Sequence, residues 1–340
     1  MSTFNPLREL TLARLRLFFR EPGAVFWTFG FPLALTVALG VAFRNRPPAP
    51  LPVAVESESL RAALGAAPGL RVQLLDDAAA RQALRTSKVE LVVQPGPPVV
   101  YLFDPTRPEA RLARALADDA LQRAAGRRDA QATLDAPVTE PGSRYVDFLI
   151  PGLIGMNIMS SGMWGIGYVV VEMRTRKLLK RLVATPMSRA QFLWSFVLMR
   201  GLFLFLELPV LLGFGWFAFK VSVAGSLPLL VATAALGALA FSGLGLLVAS
   251  RAQNTQTVSG LINLVMLPMW IGSGVFFSTA RFPEVIQPVL RALPLTALND
   301  ALRIIMLEGG GLAAVAPKLL LLAGISAAAF AVALRIFRWR

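Results

Sequence analysis

Neither cysteine nor histidine occurs in this chain of 340 residues. Their absence rules out disulfides, a thiolate nucleophile, a histidine-based catalytic triad and the usual zinc ligand sets. Charge is scarce too, at 16% of residues against about 25% in soluble domains. There is no Gly-x-x-x-x-Gly-Lys-Ser/Thr phosphate loop, so any nucleotide chemistry belongs on another chain. What remains is apolar: 55% of residues are hydrophobic and the mean hydropathy is +0.61. Such a composition describes a chain solvated mostly by lipid.

The net charge of +14 raises nucleic acid as a partner, and its distribution argues against that. Between Arg44 and Tyr145 there are 14 basic and 12 acidic residues, so almost all the surplus lies at the edges of apolar segments. Membrane flanks have this pattern; phosphate-binding faces do not. No nucleic-acid partner is expected.

Residues 5–20 predict an amphipathic helix lying at a membrane surface, with Glu9, Ala13, Arg16 and Arg20 on its less apolar strip. Pro22 to Phe43 is free of charge for 22 positions, enough to cross about 30 Å of hydrocarbon. It is longer than the apolar core of a signal peptide, so it reads as a retained first span. Residues 44–145 are turn-rich and charged. They predict strands at 51–56, 70–75, 89–93 and 99–103, with helices at 60–64, 77–85 and 108–125. That order describes a small α/β domain inserted after span one and facing away from the cytoplasm.

Further spans are expected at 148–171, 191–219, 221–250, 252–280 and 319–334, the last extending back past a snorkelling Lys318. The fold class is therefore a mainly α membrane protein with six crossings. Its divisions are 1–43, 44–145 and 146–340. Both termini are expected in the cytoplasm, with Arg335-Ile-Phe-Arg-Trp-Arg340 as an interfacial anchor. Residues 278–312 are apolar yet broken by Pro and Gly, and predict a re-entrant pair of short helices before the last span.

The chain is organised around the loop 172–190. It carries Arg174, Arg176, Lys177, Lys180, Arg181 and Arg189 against the single acid Glu172, which marks it as cytoplasmic. Leu178, Leu179, Leu182 and Val183 recur at helical spacing until Pro186 stops the run. Two readings are open on charge alone: a topogenic cluster at the headgroups, or a lever pushed by another protein.

Within the spans, Glu207 stands near the middle of the third, with Arg200 nearer its inner end and Pro209 two residues on. A charged group at mid-membrane marks a pathway or a pair. Asp300 and Arg303, three residues apart, suggest an ion pair bracing the re-entrant segment, while Asp147 reads as a solvated interfacial charge. Glycines at 152, 155, 162, 165 and 167, and the stripe Ala234, Ala238, Ser242, permit close helix approach, within the chain or across a dimer. Met156, Met159, Met163, Met266 and Met269 suit either core packing or an adaptable substrate path.

Several further stretches carry a resemblance: Asp147-Phe-Leu-Ile-Pro-Gly152, the basic loop, Ser259 to Trp270, Ser273-Gly-Val-Phe-Phe277, Arg281-Phe-Pro-Glu284, Gln287-Pro288, Leu293 to Arg303, and Phe337-Arg-Trp339. Together, in this order, the sequence resembles the permease subunits of ABC-2 type ABC transporters, in the subset with an extracytoplasmic domain after span one. The resemblance implies six helices with an N-terminal interfacial helix, pairing with a second copy or a homologous permease, and export across the plasma membrane. It also implies a cytoplasmic ATPase subunit that carries ATP and Mg2+, this chain having no cofactor and no enzymatic activity of its own.

The loop would then supply a coupling helix. Glu172, Arg176, Lys177, Lys180, Arg181, Thr185 and Pro186 are the candidate contacts. For a substrate path or gate the candidates are Met156, Asn157, Glu207, Asn263, Met266, Met269, Asp300 and Arg303. Two other classes compete. An ion-coupled secondary transporter would need more intramembrane ionisable groups and internal repeats. A membrane-anchored sensor would use residues 44–145 as its receptor.

Overall fold

The computed structural model describes residues 12, 15–16, 18–42, 49–128, 131, 133–134, 144–178 and 189–336, without the side chains of 24 and 189–194. The chain divides into two compact units, residues 45–138 and residues 1–44 with 139–340.

In the smaller unit, which follows α1 (Pro22–Val25) and α2 (Phe31–Ala42) of the larger one in the chain, the order is β1 (Leu51–Val55), α3 (Glu58–Gly65), β2 (Leu70–Leu74), α4 (Asp77–Arg85), β3 (Leu91–Gln94), β4 (Val100–Leu102) and α5 (Pro108–Ala124). The sheet order is β2-β1-β3-β4, with β1 parallel to both β2 and β3, and β4 antiparallel to β3. The period-two alternation of strands sorts the core onto two faces. Val53, Val55, Leu91 and Val93 join Leu60, Leu64, Ala113 and Ala117, whereas Ala54 and Val92 meet Ala80. Helix starts are set locally: Ser57 and Asp76 accept from the backbone N–H of Leu60 and Ala79, and Pro108 opens α5. Tyr101 donates to Asp118 across to α5. Burial first, then that carboxylate, push its phenol up to about 12, so it remains a neutral donor.

The larger unit is helical. Residues 18–20 are helical, as are 12, 15 and 16. Then come α1 (Pro22–Val25), a π-helical turn (Phe26–Gly30) and α2 (Phe31–Ala42). α6 (Tyr145–Gly162), a second π-helical turn (Met163–Tyr168) and α7 (Val169–Thr175) form one unbroken rod. α8 (Arg189–Phe219) continues unbroken past Pro209, and α9 (Leu227–Arg251) and α10 (Thr255–Gly272) follow. After a 3-10 turn (Thr279–Arg281) the chain forms α11 (Gln287–Ala292), α12 (Pro294–Met306) and α13 (Leu312–Ile336).

Among the described residues, four helices are long and apolar enough to cross a membrane: Tyr145–Thr175, Ser195–Phe219, Leu227–Arg251 and Leu312–Ile336. Phe26–Ala42 is a shorter apolar helix. α10 is shorter than the expected 252–280, because Gly274 takes a left-handed φ of +69° and ends it early. The last helix starts at Leu312 rather than near 319 and includes Pro317 and Lys318.

Small residues close the gap between the α6–α7 rod and α9. A Cβ on Gly162 would come within 2.7 Å of Phe241, and one on Gly245 within 2.8 Å of the Gly162 carbonyl. Gly167 faces Gly245 just as closely. Ala234, Ala238 and Ser242 are buried within the same core. This packing is intramolecular. Gly165 has no atom within 4 Å of a built Cβ, so that position alone of the five glycines in 152–167 faces open space. Phe205, Phe217 and Leu264 are more than two-thirds exposed, as suits helices that meet lipid tails.

Gly245→Val forces a branched side chain onto a backbone carbonyl and should cost about 1–3 kcal/mol, read as a lower melting temperature in detergent. Gly165→Ala should not lower it; equal losses at both positions would contradict the packing.

Candidate functional site

Three polar clusters are built on these helices. The first lies where α7 ends. The Arg176 and Lys177 N–H groups donate to the Glu172 and Arg174 carbonyls at 3.0 Å, and Lys177 turns the chain with φ +58°. Glu172 accepts from Arg176 at 2.8 Å. With Arg176 this exposed, the pair contributes about 0–1 kcal/mol and leaves the arginine available at the surface. Arg174 points the other way. Its Nη1 donates to the carbonyls of Ala249 at 2.9 Å and Ala252 at 2.7 Å. These lie at the C-terminal end of α9, where helical carbonyls have lost their partners. Lys180, Arg181, Thr185 and Pro186 lie outside the described residues, as does the run from Leu179 to Val183.

The second cluster sits on α8. Arg200 Nη1 donates to both oxygens of Glu207 at 3.0 Å, and Ser161 of α6 donates to Glu207 Oε1 at 3.1 Å. Both groups are buried, at 6% and 2% exposure. Seven residues make two helical turns, so the side chains reach along one face of α8. A lone charge at this depth costs about 3 kcal/mol or more; here each ion supplies the other's counter-charge.

The third cluster surrounds the irregular chain that follows α10. Asn299 donates to the Ser273 carbonyl at 3.0 Å, Tyr145 to the Phe276 carbonyl at 2.9 Å, and Arg303 to the Gly274 carbonyl. Arg303 also donates to the Phe148 carbonyl at 3.2 Å, and its guanidinium carbon lies 3.7 Å from the centre of the Phe148 ring. Glycine is required opposite these groups. A Cβ on Gly155 would sit 2.0 Å from Asn299 Oδ1, and one on Gly152 2.7 Å from the Val275 carbonyl. Nearby, Arg144 forms a capping box with Asp147, its guanidinium reaching Asp147 Oδ1 at 2.7 Å. The hydrogen bond to Asp147 raises the guanidinium above its ordinary value.

Several expectations change against this geometry. Asp147 is 1% exposed and ion-paired rather than solvated. Asp300 pairs with Lys318 at 2.8 Å, not with Arg303; the two side chains leave α12 in different directions, toward α13 and toward α6. Lys318 is thus held by a carboxylate and stays partly exposed. Met156, Met266 and Met269 pack into the common core with Met159 and Met163. Asn157 is buried beside them, its Nδ2 without a hydrogen-bond partner among the described residues. Asn263 lies apart, on the exposed face of α10.

Sequence reasoning named Glu207, Arg303 and the loop arginines, and missed Ser161, Tyr145, Asn299 and the capping task of Arg174. A signal existed for one face: Thr296, Asn299 and Arg303 recur at helical spacing in the sequence, and the last two meet Gly155 and Gly152.

Glu207→Ala strands Arg200 in the core and should cost about 3–5 kcal/mol, whereas Arg200→Leu with Glu207→Leu should recover most of that. Thermal unfolding of the purified variants reads both. Arg303→Lys keeps the charge but loses the planar fork that serves two carbonyls, so its melting temperature should fall below that of Asp300→Asn.

A family profile described as ABC-2 family transporter protein matches residues 22–335. Among curated proteins, the inner membrane transport permease YhhJ of Escherichia coli (strain K12) is 26% identical over 180 residues. That alignment covers 51% of this chain and 46% of the permease. ABC transporter G family member 20 of Dictyostelium discoideum is 28% identical over 174 residues, 51% of this chain and 24% of that protein. The chain thus spans less than half the length of the curated relatives it matches. With the profile running from α1 to the last turn of α13, across all three clusters, the chain belongs to the ABC-2 family of transporter proteins.

Proposed function

We propose that this chain is the transmembrane subunit of an ATP-binding-cassette exporter, driven by ATP that a separate cytoplasmic subunit hydrolyses. The observation that carries the reading is the end of α7. There the helix stops at Thr175, an exposed Arg176 leaves the rod, and the chain turns at Lys177 as the basic run begins. In this reading the six crossings are residues 22–42, 145–175, 195–219, 227–251, 255–272 and 312–336. The four cationic ends, namely the N-terminal helix, the loop 172–190, Arg251 and Arg335, then share the cytoplasmic side. Residues 45–138 lie on the opposite side, and α11 and α12 form the re-entrant pair.

Loop 172–190 docks on the ATPase subunit, which holds ATP and Mg2+. Glu172, Arg176, Lys177, Lys180, Arg181, Thr185 and Pro186 form the contact, and a second permease completes the assembly in the plasma membrane. Asn263, on the exposed face of α10, would meet either that second copy or the substrate. Met156, Asn157, Met266 and Met269 would border the path once the core opens. An ion-coupled mechanism gains no support, because Glu207 already spends its charge on Arg200.

Affinity purification of the full chain from its native membrane should bring down an ABC ATPase subunit in stoichiometric amount. Arg176→Glu with Lys177→Glu should reduce the captured subunit roughly tenfold or more, the equivalent of about 1.4 kcal/mol. Wild-type permease that never retains an ATPase would defeat the proposal.

A further inference from the structure

We propose that Arg174 is the positioning residue that turns a displacement of the basic loop into a displacement of the junction between α9 and α10; this rests on the exporter reading above. The geometry is that of a tie. Arg174 belongs to the last turn of α7, three residues before the chain turns at Lys177. One guanidinium nitrogen spends both its protons on α9, one on Ala249 inside the helix and one on Ala252 just beyond it.

The acceptors are fixed by the backbone. Ala252 leaves the helical region (φ −65°, ψ 129°), so α9's last carbonyls have no amide to follow them. A cation at a helix C-terminus also meets the negative end of the helix dipole. Beyond Ala252 the chain has no slack. Asn254 accepts from the Thr257 N–H at 2.7 Å and starts α10 at once. On the other flank, Ser250 donates to the Leu246 carbonyl at 2.8 Å and reaches the Ala333 carbonyl of α13 at 3.4 Å.

A push on the loop therefore reaches a short junction to which three helices are fastened, through this side chain in addition to the packing of α7 against α9 and α10. By contrast, Arg176 is bonded back to its own turn through Glu172. Arg251 gives the matched comparison, since it is exposed and adjacent to the same carbonyls.

The absence of cysteine from the chain makes the tie directly measurable. Thr175→Cys and Gln256→Cys place spin labels on exposed positions at its two ends. Labelled protomers diluted among unlabelled ones then report the distance across the tie by pulsed electron resonance.

In the permease alone, Arg174→Gln should broaden that distance distribution at least twofold. Arg174→Lys should give an intermediate width, and Arg251→Gln the wild-type width. Equal widths in Arg174→Gln and Arg251→Gln would overturn the tie whatever the ATPase does. In the complex with the co-purified ATPase subunit, ATP with vanadate should move both labels together in wild type. In Arg174→Gln the ATPase should still be retained, while the nucleotide-induced shift at position 256, read against a label at exposed Leu312, should fall at least threefold. An undiminished shift would overturn transmission through Arg174. Failure of the wild-type permease to retain any ATPase would instead overturn the exporter reading, and transmission with it, leaving the first measurement to report a brace.

Discussion

Backbone carbonyls that a helix cannot satisfy are the constraint on which this structure depends. In hydrocarbon no water is available to them, and each unpaired group costs several kcal/mol. At two of the described helix ends, after Arg251 and after Gly272, side chains from other helices supply the missing donors. Arg174 serves Ala249 and Ala252; Arg303, Asn299 and Tyr145 serve Gly274, Ser273 and Phe276. Arginine suits the task because it stays charged and donates in several directions from a rigid plane. Arg174 and Arg303 thus hold broken backbone, whereas Arg200 and Lys318 pair with carboxylates.

Close packing makes those caps reachable. Gly152 and Gly155 let α6 approach the irregular segment and α12, and Gly162, Gly167 and Gly245 let the rod touch α9 backbone to backbone. The second π-helical turn lies in this seam, between Gly162 and Tyr168. Such turns are rare and concentrate at functional sites. The Arg200–Glu207–Ser161 cluster pins α8 to the same rod.

Much of the smaller unit was legible in advance. The order of its strands and helices follows from alternation, turn residues and caps that operate over a few positions, such as Ser57 and Asp76. Boundaries moved by a residue or two, as at Leu91–Gln94. For the larger unit, composition indicated apolar helices and the basic loop at 172–190, and placed Glu207 and Arg303 among the residues of interest. Local spacing misled at Asp300 and Arg303, because an i,i+3 interval shows that two side chains can meet but not that better partners exist. Lys318 and the Phe148 carbonyl, 18 and 155 residues away, were those partners.

The order of elements in the smaller unit, the apolar composition and the clustering of charge along the chain were decided by the sequence itself, because each depends on local spacing or on simple sums over residues. Partnership was decided only by tertiary structure. Whether Asp147 is solvated or buried, whether Arg174 is a surface charge or a helix cap, and whether a glycine stripe faces a neighbour or open space depend on what a different helix brings alongside. Hydrogen bonds and van der Waals contact act over a few ångströms, and those ångströms are set by packing between segments far apart in the chain.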